Sequence, residues 1–377
     1  MNILFISWGL SPNVGGTERV TRVLMMRFEE LGHQCYITYC TGDDASFPAE
    51  KKLFVNYRAP YASLKSQLND FAHKAKIDVI INENVCETEV SRWLREVKAA
   101  HPSLPVIYCL HNTPELFVRH SSKLNAQVIK NKLFKLFTGD SIYMWKHRKM
   151  YNVADRYVVL SPSYIQRFMQ IFRLKDEGKV IAVPNPISVH AAETGSTKKE
   201  NLFLIIARLS EKQKNIKAAL RIWKSFSASH PDYKLIIAGY GDDEQMLRDY
   251  AKELGLERCE FVGKTTEPQK YYARAKFFMM TSFFEGFPMT IVEALQHQCI
   301  PIVFDSFAAI HDIIDDGENG ILVPAFDEDK YVDSMTRLVA DDQLQESLRS
   351  NALPSLNKFT IEKVGERWME VIKELIK

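Results

Sequence analysis

Two glutamates in the second half of the chain, Glu285 and Glu293, lie on either side of a predicted helix start. Pro288 suits the first helical position, where a missing amide donor has no cost, so the amides of Met289 and Thr290 would face outward. Carboxylates at such a point can accept hydrogen bonds from the vicinal hydroxyls of a sugar. Glu293 lies among apolar residues, where an unpaired carboxylate would be costly, and this favours a binding role over an ordinary surface helix.

A basic loop follows the apolar run 202–207 and contains Arg208, Lys212 and Lys214. A guanidinium and an ammonium at the C-terminal end of a strand can bind a diphosphate, the arginine as a planar fork and the lysine as a point charge. We therefore predict a diphosphate site at Arg208 and Lys214. The alternative is a solvated basic turn, and Lys212 competes with Lys214 for the same role.

Two further motifs follow strand-like runs in the first half of the chain. Gly15 and Gly16 open a predicted helix, where adjacent glycines let an oxyanion or a sugar approach the unpaired amides. A plain helix-entry turn capped by Thr17 is the alternative. His111 follows the run 106–110 and would project from the carboxyl edge of a sheet. A single histidine is more often structural, so it is this position that favours a functional role.

Short apolar runs alternate with longer segments of helical periodicity along almost the whole chain. Runs with little polar alternation are typical of parallel strands covered on both faces, and the intervening segments are long enough for crossover helices. The pattern therefore predicts an α/β fold with two Rossmann-like, doubly wound domains and parallel strands throughout. The predicted strands are 3–8, 35–39, 79–82, 106–110, 157–160, 180–183, 202–207, 234–238, 260–262, 277–281, 301–304 and 321–323.

The best linker is the polar segment 188–200, which has no hydrophobic period and contains glycine, serine and threonine. We predict an N-terminal domain over 1–187, a C-terminal domain over 201–359 and a final helix over 360–377. Two such domains would face each other across a cleft between the C-terminal ends of their strands. Open α/β sheets bind their ligands at that edge.

The 377 residues include 49 lysines and arginines against 47 aspartates and glutamates, and 46% are hydrophobic. The formal net charge of +2 gives no electrostatic footprint for nucleic acid. Six cysteines without CxxC spacing predict reduced thiols, and the chain begins in a strand-like run rather than a signal-peptide pattern. We expect a cytoplasmic protein with no bound metal, because no His, Cys, Asp and Glu cluster has metal-ligand spacing.

One segment, residues 117–150, holds eight basic residues and one acidic residue. Its interleaved aromatic residues suit peripheral contact with the anionic inner face of the cytoplasmic membrane. A solvated helix face with a buried aromatic stripe is the alternative, and a nucleic-acid patch fits less well because the charge is local. The residues concerned are Arg119, Lys123, Lys130, Lys132, Lys135, Lys146, Arg148 and Lys149, with Phe134, Phe137, Tyr143 and Trp145 between them.

Taken together, these motifs resemble those of the family-4 retaining glycosyltransferases of GT-B fold, which transfer a sugar from a nucleotide donor. The resemblance covers most of the chain and is densest over 202–324. Ala207 stands where the family usually has glycine, and the spacing from Arg208 to Lys214 is one residue longer than in many members. The motifs are the pair Glu285 and Glu293, the turn with Arg208 and Lys214, the turn with Gly239 and Gly241, the strand end 261–263, and the pair Gly15 and Gly16.

The resemblance implies a role for each of these residues. Glu293 would hold the donor ribose and Glu285 a hydroxyl of the donor sugar, with His111 as the active-site histidine. Arg208 and Lys214 would hold the diphosphate together with the helix start. The final helix would cross back to the N-terminal domain, which would seat the acceptor. The helix-start residues are Gly286, Phe287, Pro288, Met289 and Thr290, while Val262 and Gly263 would contact the base, and Gly15 and Gly16 would lie against the donor.

The implied reaction is a retaining transfer of a hexosyl-type residue from a nucleoside-diphosphate sugar, with a UDP-sugar favoured, to a glycan or lipid-linked glycan in cell-surface polysaccharide synthesis. No metal or other cofactor is expected, because fixed cations and helix amides can stabilise a leaving diphosphate. A nucleotide-sugar epimerase and a non-catalytic nucleotide-sugar-binding protein remain alternatives, since fold alone does not choose among them. A dinucleotide dehydrogenase is disfavoured because the turn with Gly239 and Gly241 lacks the third glycine.

Overall fold

The computed structural model describes residues 1–11, 15–117, 141–175, 178–187 and 198–376. The chain divides into two compact units. The first unit combines Met1–Ser188 with Ile361–Lys377, and the second unit is Val189–Thr360. Each unit has a parallel sheet of its own. The predicted class, two Rossmann-like α/β domains, is therefore confirmed.

The strands of the first unit are β1 (Asn2–Ile6), β2 (Gln34–Tyr39), β3 (Lys52–Phe54), β4 (Val79–Glu83), β5 (Val106–Leu110), β6 (Arg156–Val159) and β7 (Val180–Ala182). They pair in parallel in the order β3-β2-β1-β4-β5-β6-β7. The order reverses between β1 and β4, and ligands of open α/β sheets bind at such a reversal. All side chains of β4 and β5 are buried, as expected for strands covered on both faces.

The helices described between these strands are α1 (Gly16–Glu30), α2 (Tyr61–Ala75), α3 (Thr88–Ala100), α4 (Ile142–Val153) and α5 (Ser163–Phe172). Strand β3 was not predicted, because its three residues form a short edge strand that includes a lysine and has no buried side chain. A short edge strand of this kind gives no apolar run in the sequence.

The strands of the second unit are β8 (Glu200–Ile206), β9 (Lys234–Ala238), β10 (Cys259–Gly263), β11 (Ala275–Met280), β12 (Ile300–Asp305) and β13 (Ile321–Pro324). They pair in parallel in the order β10-β9-β8-β11-β12-β13, so the reversal here lies between β8 and β11. The helices are α6 (Glu211–Lys214), α7 (Ile216–Ser227), α8 (Glu244–Glu253), α9 (Pro268–Arg274), α10 (Met289–Gln296), α11 (Glu328–Ala340) and α12 (Asp342–Ser355).

The final helix, α13 (Ile361–Ile376), packs within the first unit, which confirms the predicted return of the C-terminal helix. Trp368 is buried in the same core as Phe28 of α1. A Cβ on Gly365 would lie 2.8 Å from Arg27 Cγ, so the glycine allows the two helices to approach closely. Among the described helices, none combines the length and the apolar composition needed to cross a bilayer.

The predicted linker 188–200 extends too far, because β8 already begins at Glu200. Residues 188–197 lie outside the described residues, whereas the Lys199 ammonium is firmly held. It donates to the carbonyls of Tyr272, Ala275 and His297 at 2.9, 3.0 and 2.7 Å. Lys199 therefore belongs to the second unit. There it donates to carbonyls at the C-terminal ends of α9 and α10, which have no partner within their helices.

Two loops at the carboxyl edge of the second sheet pack backbone against backbone. A Cβ on Gly239, whose φ is +147°, would lie 1.8 Å from the Ala207 carbonyl oxygen, and one on Gly241 would lie 2.3 Å from that of Leu209. The Asp243 carboxylate accepts from the first amide of α6 at 2.8 Å. These glycines therefore set the position of α6 and of the lysine at its end, and they need not bind a dinucleotide.

Replacing Gly239 with alanine should lower the free energy of unfolding of the second unit by about 3 kcal/mol, because the new Cβ meets a backbone carbonyl that cannot move independently. The change is measured by urea unfolding followed by circular dichroism.

The matched control is Gly255→Ala, at a glycine with φ of +66° and no heavy atom within 4 Å of the added Cβ. It should cost only about 1 kcal/mol, the price of the left-handed backbone alone. Equal losses in the two variants would contradict the packing argument.

Candidate active site

The Lys214 ammonium and the Glu285 carboxylate form an ion pair at the carboxyl edge of the second sheet, with Nζ 2.6 Å from Oε1. Their side chains are 15% and 7% exposed. The Ser282 hydroxyl donates to the same Oε1 at 2.6 Å, and Gln213 Nε2 donates to Oε2 at 3.3 Å. One cation and two neutral donors thus compensate a carboxylate that would otherwise be costly to bury.

The first part of the loop that follows β11, residues 281–285, is hydrogen-bonded to α6 and to the residue that ends it. The Thr281 hydroxyl donates to the carbonyls of Lys214 and Asn215 at 3.2 and 2.9 Å. The Phe283 amide donates to the Gln213 carbonyl at 2.8 Å. The basic turn and the glutamate loop, separate motifs in the sequence, therefore form one structure in which Lys214 and Glu285 touch.

Arg208 and Lys212 are both exposed, in contrast to Lys214. Arg208 follows β8 directly, and within the described ranges of the chain neither side chain has a recorded ion pair or hydrogen bond. A guanidinium in this position keeps all five of its donors available for a ligand. Lys214 differs, because its ammonium has one hydrogen bond to Glu285 and two further donors.

The start of α10 differs from the prediction. Pro288 is the N-cap, with φ of −78° and ψ of 80°, and Met289 is the first helical residue. The Met289 amide donates to the Phe287 carbonyl at 2.9 Å, closing a tight turn around the proline. The expectation that this amide faces outward is wrong, because the ψ of Pro288 folds it back. The Thr290 amide has no recorded partner within the part of the chain that the structure describes.

Glu293 is half-buried on α10, and its Oε2 accepts a hydrogen bond from the Tyr272 hydroxyl at 3.1 Å. Val262 and Gly263 end β10 and are half-buried. The Gly263 carbonyl accepts from the Gly239 amide at 2.8 Å, so the end of β10 is fixed to the glycine loop. Apart from Gly15 and Gly16 of the first unit, the predicted donor-site residues lie at the carboxyl edge of the second sheet or just beyond it: Arg208 after β8, 262–263 at the end of β10, and 285–290 after β11.

In the first unit, His111 follows β5 and its Nε2 is hydrogen-bonded to Oε2 of Glu83, the last residue of β4. Glu83 is 1% exposed. The sequence analysis does not identify this partner, because the strand it predicts ends at Asn82, one residue before Glu83. The signal was present: a carboxylate at the last position of an apolar run stands at the carboxyl edge of a parallel sheet, beside whatever follows the next strand.

Gly15 is the N-cap of α1 and Gly16 its first residue, while no side chain, including that of Thr17, caps the helix. The Glu18 carboxylate fills the space beside Gly15, since a Cβ there would lie 2.6 Å from Glu18 Oε2. A carboxylate at this position repels a phosphate and accepts hydrogen bonds from hydroxyls. The predicted contact with an oxyanion is therefore disfavoured, and a hydroxyl group suits the pair Gly15 and Gly16 better.

Three basic residues of the segment 117–150 are described, and each has a partner. Lys146 Nζ lies 2.6 Å from Glu87 Oε2, Arg148 donates to a backbone carbonyl at 3.0 Å, and Lys149 Nζ lies 3.6 Å from the centroid of the Trp145 ring. The segment's other basic residues, like Phe134 and Phe137, lie outside the described residues. The described part thus forms a helix whose charges are already engaged.

Two family models match the chain, one over each half. Residues 14–190 match the model described as Glycosyltransferase Family 4, and residues 187–353 match the model described as Glycosyl transferases group 1. Together they span almost all of both units.

Curated relatives are similar over most of their length. The chain is 25% identical to the amylovoran biosynthesis glycosyltransferase AmsD of Erwinia amylovora, over 98% of this chain and 99% of that one. It is 27% identical to a GalNAc-alpha-(1->4)-GalNAc-alpha-(1->3)-diNAcBac-PP-undecaprenol alpha-1,4-N-acetyl-D-galactosaminyltransferase of Campylobacter jejuni, over 70% and 69% of the two chains. It is 25% identical to a lipopolysaccharide 1,6-galactosyltransferase of Salmonella typhimurium, over 91% and 90%.

Solved structures share the fold. The apo form of the lipopolysaccharide outer core galactosyltransferase WaaB matches with a TM-score of 0.73 and 20% identity, over 99% of each chain. Anabaena Alr3699/HepE in complex with UDP matches with a TM-score of 0.76 and 16% identity, over 99% of this chain and 100% of that one.

Proposed function

We propose the following reaction for this chain, which belongs to the family-4 glycosyltransferases of GT-B fold. The protein transfers a hexosyl-type residue from a nucleoside-diphosphate sugar, a UDP-sugar in the first instance, to a glycan or lipid-linked glycan. The transfer serves cell-surface polysaccharide synthesis, retains the anomeric configuration and needs no metal ion. The observation that carries the proposal is the buried pair of Lys214 and Glu285, which sets a cation and a carboxylate side by side.

The diphosphate of the donor is held by Arg208 and Lys214. Arg208 presents its planar guanidinium group just after β8. Lys214 presents the two ammonium hydrogens that are not bonded to Glu285. The loop with Gly286 and Phe287 supports them, and the Thr290 amide near the start of α10 adds a neutral donor. Charge that develops on the leaving diphosphate is thus stabilised by groups already in place, as electrostatic catalysis requires.

The remaining donor contacts are hydroxyl and base contacts. Glu293 accepts from the ribose hydroxyls, with the Tyr272 hydroxyl fixing its carboxylate. Glu285 accepts from a hydroxyl of the transferred sugar. Val262 and Gly263 contact the base. A UDP-sugar is favoured because Alr3699/HepE, whose structure is similar to this one, was crystallised in complex with UDP.

The reaction breaks the bond between the anomeric carbon and the diphosphate oxygen, which keeps the electron pair. The acceptor hydroxyl attacks the anomeric carbon from the same face and passes its proton to the leaving phosphate. Retention follows from this geometry without an enzymatic nucleophile. In the first unit, His111 contacts a sugar hydroxyl, and the pair Gly15 and Gly16 suits a hydroxyl group rather than a phosphate.

A panel of nucleotide sugars tests the proposal. One donor should raise the melting temperature, since a ligand at a hundred times its Kd adds about 2.7 kcal/mol to the stability of the folded state. That donor, incubated with a lipid-linked or glycan acceptor, should give a product with the anomeric configuration of the donor, measured by NMR.

Turnover should be unchanged when a chelator is added, because the fixed cations replace a metal. A strict requirement for a divalent cation would contradict the metal-free reaction, and an inverted product would contradict retention. Conversion of the donor sugar into its epimer, without transfer, would favour the epimerase alternative.

Three single variants test the diphosphate contacts. Arg208→Ala and Lys214→Ala should each weaken binding of the free nucleoside diphosphate by about 1.5–3 kcal/mol, because each removes a charge-assisted hydrogen bond. Isothermal titration calorimetry measures the affinity. Lys214→Ala should also lower the melting temperature, since it leaves Glu285 buried without its cation.

Lys212→Ala is the matched control, because Lys212 is exposed on the same turn. It should leave both affinity and melting temperature unchanged. If Lys212→Ala weakens binding and Lys214→Ala does not, Lys212 holds the diphosphate. Unchanged affinity in all three variants would remove the diphosphate site from this turn.

A second proposal concerns where the protein works. We propose that the segment 117–150 makes peripheral contact with an anionic membrane, at the inner face of the cytoplasmic membrane, and so brings the enzyme to a lipid-linked acceptor. The support comes from the sequence of the segment, where five further basic residues and the aromatic residues Phe134 and Phe137 accompany the three basic residues that already have partners. Each basic residue near an anionic surface contributes about 1 kcal/mol.

Sedimentation with liposomes tests the membrane contact. Binding should rise with the fraction of anionic lipid and fall at high salt, because the attraction is screened. It should also weaken in the triple variant Lys130→Glu, Lys132→Glu and Lys135→Glu.

The matched control makes the same change of charge at three exposed lysines elsewhere, Lys74→Glu, Lys224→Glu and Lys252→Glu. It should bind more strongly than the triple variant in the segment. Equal losses would show that net charge alone is responsible, and no binding at low salt would favour a soluble acceptor.

A further inference from the structure

The hydrogen bond between His111 and Glu83 joins two neighbouring strands of the first sheet at their carboxyl ends. Glu83 Oε2 is hydrogen-bonded to His111 Nε2. The Glu83 side chain is 1% exposed and the His111 side chain is 7% exposed. The other ring nitrogen, Nδ1, has no recorded hydrogen-bond partner within the described parts of the chain. The ring is therefore attached at one nitrogen and open at the other.

A glutamate at position 83 lowers the stability of the fold, because its carboxylate is buried. Its second oxygen, Oε1, is buried and has no hydrogen-bond partner among the described residues. Burial, the charge of Glu83 and a hydrogen bond with Glu83 raise the pKa of the neighbouring Cys109 thiol, which is a weak and uncharged donor. A buried carboxylate whose partners are a histidine and a thiol destabilises a fold relative to an apolar residue of similar size. Stability alone therefore gives no reason for a glutamate here.

The backbone around Glu83 is held in place. The Asn82 side chain donates to the Val85 carbonyl at 3.0 Å and accepts from the Val85 amide at 2.8 Å. Asn84 has φ of +63°, an uncommon conformation for a residue other than glycine. A clamped turn of this kind fixes the carboxylate, and through it the ring of His111.

We propose that Glu83 is a positioning residue, which binds His111 Nε2 and leaves Nδ1 as the nitrogen that meets the substrate. The proposal rests on the proposed function for the role of His111. With the Nε2–H group donating a hydrogen bond to the Glu83 carboxylate, the ring nitrogen left for the substrate is Nδ1, which presents its lone pair. That lone pair accepts a hydrogen bond from a sugar hydroxyl, and the negative charge of Glu83 strengthens it. Without Glu83 the ring could present the wrong nitrogen.

The first arm of the test is spectroscopic and needs no substrate. ¹⁵N NMR of the histidine rings at about pH 8, where a free histidine is neutral, reports which nitrogen carries the proton. The His111 signals are assigned by their loss in His111→Ala. We expect the wild type to hold the proton on Nε2, and Glu83→Met to show a mixture of the two tautomers. Identical His111 signals in wild type and Glu83→Met would overturn the proposal.

The second arm is kinetic. Glu83→Gln should lower kcat by about tenfold to ten-thousandfold, the range seen when a group that orients a functional histidine is lost, with the KM for the donor nearly unchanged. In the His111→Ala background the same change should have no further effect, because Glu83 acts through the ring. Losses that multiply in the double variant would overturn the proposal.

The matched control is Asp155→Asn, which removes a carboxylate paired with Lys98 at 2.9 Å. Asp155 accepts from the first amide of β5, at the opposite edge of the same sheet. It should lower stability without changing kcat or the His111 signals. If no acceptor is ever glycosylated but the NMR arm gives the expected tautomers, the proposed reaction fails while the positioning role of Glu83 stands.

Discussion

The ion pair between Lys214 and Glu285 is the interaction on which the rest of the second unit's site depends. A carboxylate with a 7% exposed side chain is costly to bury without a cation, and removing one partner of such a pair costs about 3–5 kcal/mol. The surrounding loops are accordingly built to hold the lysine in place. Asp243 fixes the start of α6, Asn215 ends it with a φ of +51°, and Thr281 binds the carbonyls at its end.

Each unit buries a glutamate carboxylate at the carboxyl edge of its sheet, and the two carboxylates have different partners. In each sheet a buried glutamate stands at or after the end of the strand where the order reverses, Glu83 at the end of β4 and Glu285 after β11. Glu83 is hydrogen-bonded to a histidine that follows the next strand, whereas Glu285 is paired with a lysine at the end of α6, which follows β8. A lysine contributes a positive charge, whereas a neutral histidine offers one donor and one acceptor nitrogen. The first arrangement suits hydroxyl chemistry, and the second suits a permanent anion.

The sequence was enough to predict the two doubly wound sheets, because buried parallel strands appear as short apolar runs and crossover helices separate them. It also predicted the motifs at the strand ends, which the folding of parallel strands must bring to one edge. It failed where a contact joins residues far apart in the chain, and where a local turn depends on a single backbone dihedral angle. No sequence pattern indicates that Glu83 and His111 form a hydrogen bond. The hydrogen bond from the Met289 amide to the Phe287 carbonyl depends on the ψ angle of Pro288.

Both buried glutamates, Glu83 and Glu285, lie at these carboxyl edges, and two of the seven described residues other than glycine with a positive φ, Asn84 and Asn215, lie beside their ion pair or hydrogen bond. Buried carboxylates and left-handed backbone at residues other than glycine each cost free energy, and natural sequences keep them where the surrounding structure over-determines them. Asn84 follows Glu83 directly, and Asn215 follows Lys214 directly, each with a positive φ. A sequence selected for stability alone would place an apolar side chain and a glycine at such points. The burial of the two carboxylates is therefore better explained by binding or catalysis than by the stability of the fold.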